Sequence, residues 1–195
     1  MIPTKLTKDS YTNAHFQKLS ELATDVTQKE FSDCAFKACD FTGSTISNTT
    51  FSDCVFQNCN LSNIIVDNCS FQEVTFKNCK FLGTIFSRLN TLLLNWKFEE
   101  CKIELCNFSE LSIKKSFFID CVIKECDFVN TNLEGSTFAG SDLEKTIFQS
   151  SNLQKTSFVG AKNYSIDPNQ NKVKKAIFSQ PEVLALLVGY GIEVQ

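Results

Sequence analysis

The chain has 195 residues, a length for one domain or slightly more, and 43% of them are apolar, ample for a core. A net charge of −3 excludes the basic footprint of a phosphate-backbone binder and is too small for a strong polyanion. No apolar run approaches the roughly 20 residues that span a bilayer. Met1 to Ser20 carry no apolar block of the kind a signal peptide has, so a cytoplasmic address is expected. The core is unusual in kind: 19 Phe stand against one Trp, three Tyr and one Met. One residue reused this heavily implies the same packing slot built many times.

Residues 1–30 show a five-residue pattern only in part. Phe16 and Val26 fall in phase with the repeats beyond residue 30 and Glu21 does not, so this segment is expected to be a degenerate first coil closing the lower end. From Phe31 every fifth residue is large and apolar, through Phe36, Phe41, Ile46, Phe51 and onward to Phe86. After a slip of two residues a second series runs from Phe98 through Ile103, Phe108, Ile113 and Phe118 to Phe158. A five-residue period fits neither a 3.6-residue helix nor a period-two strand. Two residues before each large one sits a mostly small residue, such as Cys34, Ser44, Thr49, Cys101 or Ser116. The unit is therefore small, polar, large apolar, polar, polar, with two side chains inward and three outward.

Stretches such as Cys34-Ala35-Phe36-Lys37-Ala38 and Thr131-Asn132-Leu133-Glu134-Gly135 resemble the pentapeptide-repeat family over about residues 26–162. The resemblance implies an all-β fold, a right-handed quadrilateral parallel β-helix in which four pentapeptides make one 20-residue coil; that hand agrees with the rule for parallel crossovers. The spacing independently supports a square coil. In the second series Phe alternates with Ile or Leu, so Phe98, Phe118, Phe138 and Phe158 should stack in one column and Phe108, Phe128 and Phe148 opposite. Six to seven coils at about 4.8 Å make a rod roughly 30 Å long. The β-helix proper is expected over 31–161, with a C-terminal segment at 162–195 that closes its upper end.

All ten cysteines fall in the small inward slot that Ser, Thr and Ala also occupy. They are read as space-filling structural thiols, since free Cys behaves as a small hydrophobe. Vertical neighbours such as Cys101 and Cys121 come within reach of a bridge, but a reducing compartment argues against one. Zinc would need convergent ligands, and Cys-x4-Cys puts these on adjacent walls of a filled core. No metal and no cofactor is expected.

The phase slip at 87–97 holds the only Trp and the only Arg. Leu93 can serve as an inward residue of the second phase, whereas Trp96 falls in a small slot. Two readings stand: a bulge that packs locally, or a protruding contact site built on Arg88, Asn90 and Trp96, residue types enriched at interface hot spots. Beyond Asn163, Ser179-Gln180-Pro181-Glu182 reads as a helix start with Ser179 as cap, Val183 to Val188 as helix, and Gly189 just past its end. Leu184, Leu187, Val188, Tyr190 and Ile192 are too apolar for a free tail. They are expected to cap the core, to form a homodimer contact, or both.

Nothing reads as an enzyme. The single His15 lies in the degenerate segment and is expected at the surface, no Gly-rich phosphate loop occurs, and the acids lie on a convex column without a pocket. Asp33, Asp53 and Glu73 are 20 residues apart and should form one vertical row. The bland reading of that row is turn chemistry, because the same slot holds Asn48, Asn58 and Gly43. The family resemblance implies another: some relatives bind type II topoisomerases as DNA mimics and confer resistance to quinolones or peptide toxins. The expected function is thus a non-enzymatic protein-binding rod, with DNA gyrase or topoisomerase IV as partner and no direct contact to nucleic acid or membrane. The alternative is a generic interaction scaffold or effector. Over 31–161 there are 15 acids and 11 bases, weak acidity for a mimic.

Overall fold

The computed structural model describes residues 6–19, 26–90 and 94–192. They form a parallel β-solenoid of about eight turns, longer than the six to seven coils expected, because regular pairing begins before residue 31. Ser10–Thr12 pairs with Glu30–Ser32, and His15–Gln17 with Ala35–Lys37, both in parallel register. Tyr11 and Phe16 thereby join the buried columns.

Each coil has four faces, and a face is one pentapeptide. The first carries Tyr11, Phe31, Phe51 and Phe71 inward, and the second Phe16, Phe36, Phe56 and Phe76. Phe41, Leu61 and Phe81 lie on the third, and Ile46, Val66 and Phe86 on the fourth. Above the slip the expected alternation holds. Phe98, Phe118, Phe138 and Phe158 stack at 5.0, 4.8 and 5.3 Å, with rings within 8° of parallel. Phe108, Phe128 and Phe148 stack opposite at 4.7 and 5.2 Å. Rings from the two columns meet edge to face, as Phe118 and Phe128 do at 5.9 Å and 90°. Offset columns of this kind satisfy the ring quadrupoles while filling the core.

The corners follow from one backbone torsion. Two residues after the central side chain the chain turns with positive φ, from Asn13 at 51° to Lys175 at 62°, except after Phe86, where a 3-10 turn stands instead. Asn, Asp and Gly tolerate that region best, but Glu100, Leu105, Lys115 and Glu125 occupy it as well. The inter-coil hydrogen bonds outweigh the local preference of the residue.

The small inward slot is a hydrogen-bond position as well as a space filler. Ser141 Oγ donates to the Phe118 carbonyl at 3.0 Å, Thr156 Oγ1 to that of Leu133 at 2.8 Å, and Cys79 Sγ to that of Phe56 at 3.4 Å. Each reaches 23 residues back, to the central residue of the coil below. A buried carbonyl needs such a partner. All ten cysteines are buried and free.

The slip is an insertion at one corner. Val66 to Phe86 is still a 20-residue step, but Trp96 pairs with Val74, Phe98 with Phe76 and Asn107 with Ile85, each 22 apart. Phe86–Arg88 makes a short 3-10 turn and Leu89 tucks inward, which takes up the extra length between the fourth and first faces. Leu93 lies outside the described residues.

At the upper end Ile177–Phe178 pairs with Ser157–Phe158, and the Phe178 ring stacks on Phe158 at 5.0 Å. A 3-10 helix, Glu182–Tyr190, then crosses the end, with Ala185 and Leu186 packed against the core. The helix runs past Gly189. Gly191 is the residue in the left-handed region at φ 65°, donating to the carbonyls of Leu187 and Val188. Ser179 does not cap it, because its hydroxyl accepts from the Gly160 amide at 2.9 Å.

Candidate protein-binding surface

Three features bear on function: the corner row of acids, the insertion corner and the C-terminal end. Asp33, Asp53 and Glu73 sit at the turn between the first and second faces, with φ of 53°, 54° and 51°. All three side chains are exposed, one per coil at a rise of about 4.8 Å. Glu73 accepts from the Asn95 amide at 2.9 Å. The structure thus brings the three expected acids into one row, and it also shows that the row sits at corner positions.

Above Glu73 the row changes sign. The insertion carries the column from Glu73 to Asn95, then Lys115, Gly135, Lys155 and Lys175, the last four again with positive φ. A 20-residue step counted from Glu73 leads instead to position 93, so the lysine half of the edge was hidden by the slip. The register shift of two residues was the signal that locates it.

The insertion corner leaves Arg88 and Asn90 at the surface but not Trp96. Trp96 is 1% exposed and is enclosed by Phe86, Phe98 and Phe108. Its indole Nε1–H donates to the Phe71 carbonyl at 2.9 Å. A protruding Trp96 is therefore corrected: the indole takes the place of the small slot residue and replaces its hydrogen bond, so burial is favourable. Arg88 and Asn90 are exposed, and the Arg88 guanidinium lies 3.5 Å from Asp67. Beside it Ile65 and Ile85 line a shallow hollow of about 150 Å³.

At the C-terminal end Leu184, Val188, Tyr190 and Ile192 are exposed, and Leu187 is half-buried. Tyr164 is buried beneath the helix with a hydroxyl that has no hydrogen-bond partner among the described residues. Burial, with Glu182 nearby, pushes its pKa up to about 12. Among the described residues no cluster of three or more His, Cys, Asp or Glu side chains is arranged to hold a metal ion. No helix among them is long and apolar enough to cross a membrane.

Sequence profiles described as a pentapeptide repeat region and as pentapeptide repeats (8 copies) match residues 29–104 and 126–162, together more than half of the chain. The chain belongs to the pentapeptide-repeat family. No curated protein matches this pentapeptide-repeat chain in sequence. Among solved structures it is similar to a trypsin-treated variant of QnrB1, a plasmid-mediated fluoroquinolone resistance protein: TM-score 0.78 at 16% identity, covering 100% of this chain and 95% of that one. The structure of a second trypsin-treated QnrB1 variant gives a TM-score of 0.63 at 15% identity, covering 95% and 97%. At such identities the likeness is one of fold.

Proposed function

We propose that this rod is a protein-binding element that engages a type II topoisomerase, DNA gyrase or topoisomerase IV, and protects it from a quinolone or a peptide toxin. The observation that carries the reading is the exposed row of Asp33, Asp53 and Glu73. Its straight line of negative charge, one per coil, can occupy a groove shaped for phosphates. Full-length likeness in fold to a fluoroquinolone resistance protein supports the choice of partner. Arg88 and Asn90 add a contact across the first face from the row; Trp96 contributes only by holding that corner. The exposed apolar side chains of the C-terminal helix, Val188 and Tyr190 foremost, suit a tail-to-tail homodimer. The test is DNA supercoiling by gyrase with a fluoroquinolone present, with and without the protein, and with Asp33, Asp53 and Glu73 replaced by Asn. Protection that is lost with the acids supports the reading.

A second reading, a generic scaffold, is favoured by the ion pairing of the upper coils. Lys124 pairs with Glu144 at 2.6 Å and Lys155 with Glu134 at 2.7 Å, so much of that surface charge is neutralised within the chain. Absence of any effect on gyrase or topoisomerase IV selects this reading.

A further inference from the structure

The second face presents two outward residues per coil, one on each side of its inward Phe. At several coils these two residues complement each other. Ala35 stands beside Lys37, Ser157 beside Val159 and Ile177 beside Ser179, small against large. Lys97 and Glu99 are opposite in charge and paired at 2.6 Å. Phe117, 42% exposed, stands beside Ile119. The two edges carry the same relation. Asp33, on the edge shared with the first face, lies level with Lys37 on the side of the third face, Glu73 with Lys77, and Lys115 with Asp120. Asp33, Lys37, Lys115 and Asp120 are exposed and make no ion pair among the described residues.

A face that complements itself at one height suits one symmetry in particular. A two-fold axis parallel to the rod exchanges the two edges and leaves height unchanged, so each coil meets its own copy with left and right reversed. Symmetry then admits no sliding of one rod along the other, and the register is fixed.

We infer that the second face binds a second copy of this chain with the two rods parallel, second face on second face. Asp33 then meets the partner's Lys37, Glu73 the partner's Lys77 and Lys115 the partner's Asp120, each pair occurring twice. No coil sets like charge against like. The stem of the partner's Lys37 lies over Ala35, in a hollow of about 230 Å³ that also touches Phe16, Phe36 and Val55, and carries its ammonium to Asp33. Higher up, Phe117 meets the partner's Ile119 and Ser157 the partner's Val159. Apolar contacts inside a charged rim are the usual anatomy of an interface. A two-fold perpendicular to the rod keeps like edge on like edge and does worse at each central register. Centred at the level of Asn95 it sets Glu100 on its own copy, and half a coil higher it sets Glu100 on the partner's Asp120. Half a coil lower it brings Asp33 to the partner's Glu134 and leaves Ile177 uncovered. The second face is separate from the C-terminal end, and the inference does not depend on the topoisomerase reading. Because the contact flanks the acidic row, self-association would compete with any partner that binds that row.

The test is sedimentation equilibrium of the full chain over a range of concentrations and salt levels, with one charge pair exchanged inside the chain. The wild type should form a dimer that weakens about tenfold between roughly 0.05 and 0.5 M salt, as screened rim charges require. Asp33→Lys alone should weaken the dimer about tenfold, and Lys37→Asp alone by about as much, because each sets like charges together on both edges. Lysine fits the corner at position 33, since Lys115 adopts φ 56° at the equivalent corner. Asp33→Lys/Lys37→Asp in one chain should return the association constant to within about threefold of the wild type, because the pair re-forms with its signs exchanged and the net charge is unchanged. Phe117→Ser should weaken the dimer about tenfold with an unchanged circular dichroism spectrum. A wild type that stays monomeric at low salt would overturn the inference. So would a double variant no better than either single change, the result that an antiparallel dimer requires. A dimer indifferent to all of these changes but abolished by Val188→Asp would overturn it by assigning self-association to the C-terminal end.

Discussion

The indole of Trp96 hydrogen-bonds the carbonyl of Phe71 at 2.9 Å, the same relationship that Ser141 has to Phe118 and Thr156 to Leu133. The reach is 25 residues instead of 23, the difference being the two-residue insertion below it. Trp96 is thus an oversized member of the slot series. It packs beside the Phe86 and Phe108 rings, which stack on each other at 4.6 Å, and keeps the buried donor that the slot supplies.

Replacing it should cost both terms. Trp96→Ala should lower unfolding stability by about 3–5 kcal/mol, the range for large core truncations. Trp96→Phe keeps most of the volume but leaves the Phe71 carbonyl without its donor, and should cost about 1–3 kcal/mol. Urea denaturation followed by circular dichroism measures both. A Trp96→Phe variant as stable as the wild type would show that the hydrogen bond contributes nothing.

The regular slot makes a parallel forecast. Ser141 donates to Phe118 and accepts from the Cys121 amide at 3.0 Å, so Ser141→Ala removes two buried partners at once. It should cost about 1–3 kcal/mol. Ser141→Cys restores a weak donor of similar size and should cost less. Equal losses for the two would reduce the slot to space filling.

These two cases show what the order of residues revealed and what it hid. The five-residue recurrence of Phe, Ile and Leu exposed the regular interior, because its inward positions face the same space and admit few side chains; the buried Tyr11, Leu89, Leu94 and Tyr164 lie outside the two series. The donor role of the slot was visible only obliquely, in its use of Cys, Ser and Thr, which share a proton to donate as well as a small volume. Trp96 fitted the donor rule while breaking the size rule, and size alone pointed to protrusion. Among the outward residues the corner position recurs as Asn, Asp or Gly at many coils, and its charge does not. The change from Glu73 to Lys115 along one edge emerged only once the insertion was placed in register. Ser179 and Gly189 have the local chemistry of helix caps, but the stacking of Phe178 on Phe158 sets where the chain crosses the end, and Gly191 takes the capping role.

The buried thiols predict alkaline sensitivity. Burial pushes Cys54 and Cys69 from an ordinary 9.0 up to about 12, and the neighbouring Cys101, then burial, does the same to Cys79. A folded-state value above the unfolded one gives stability that is complete below pH 9 and lost as pH rises toward 12. Each thiol contributes a slope of about 1.4 kcal/mol per pH unit in that window. Denaturation midpoints should therefore fall steeply between pH 9 and 12. The fall should be shallower in a Cys54→Ser/Cys69→Ser variant. At neutral pH all ten thiols should react slowly with a labelling reagent until the chain unfolds.

The cap can be tested from both sides. Tyr164→Phe removes a buried hydroxyl that has no partner among the described residues, and should leave stability unchanged or raise it by about 1 kcal/mol. Leu187→Asp puts a charge on the half-buried side of the closing helix and should lower stability. Truncation after residue 162 uncovers Phe158 and should do so more severely, with aggregation visible by light scattering. Val188→Asp, at a position 74% exposed, should leave the melting curve unchanged at a dilution where the chain is monomeric. A truncated chain as soluble and stable as the intact one would show that the segment caps nothing.

The central claim is that an exposed row of acids on this rod engages a type II topoisomerase. The most direct measurement is gyrase supercoiling at a fluoroquinolone concentration that halves activity, titrated with the wild type and with Asp33→Asn/Asp53→Asn/Glu73→Asn. Asn keeps the corner backbone, as Asn48 and Asn58 do with φ of 54° and 55°. The wild type should restore supercoiling, and the triple variant, equally folded, should do so weakly, with the difference largest at low salt. A wild type without effect on gyrase or topoisomerase IV, with or without drug, would contradict the claim, and so would a triple variant that protects as well as the wild type.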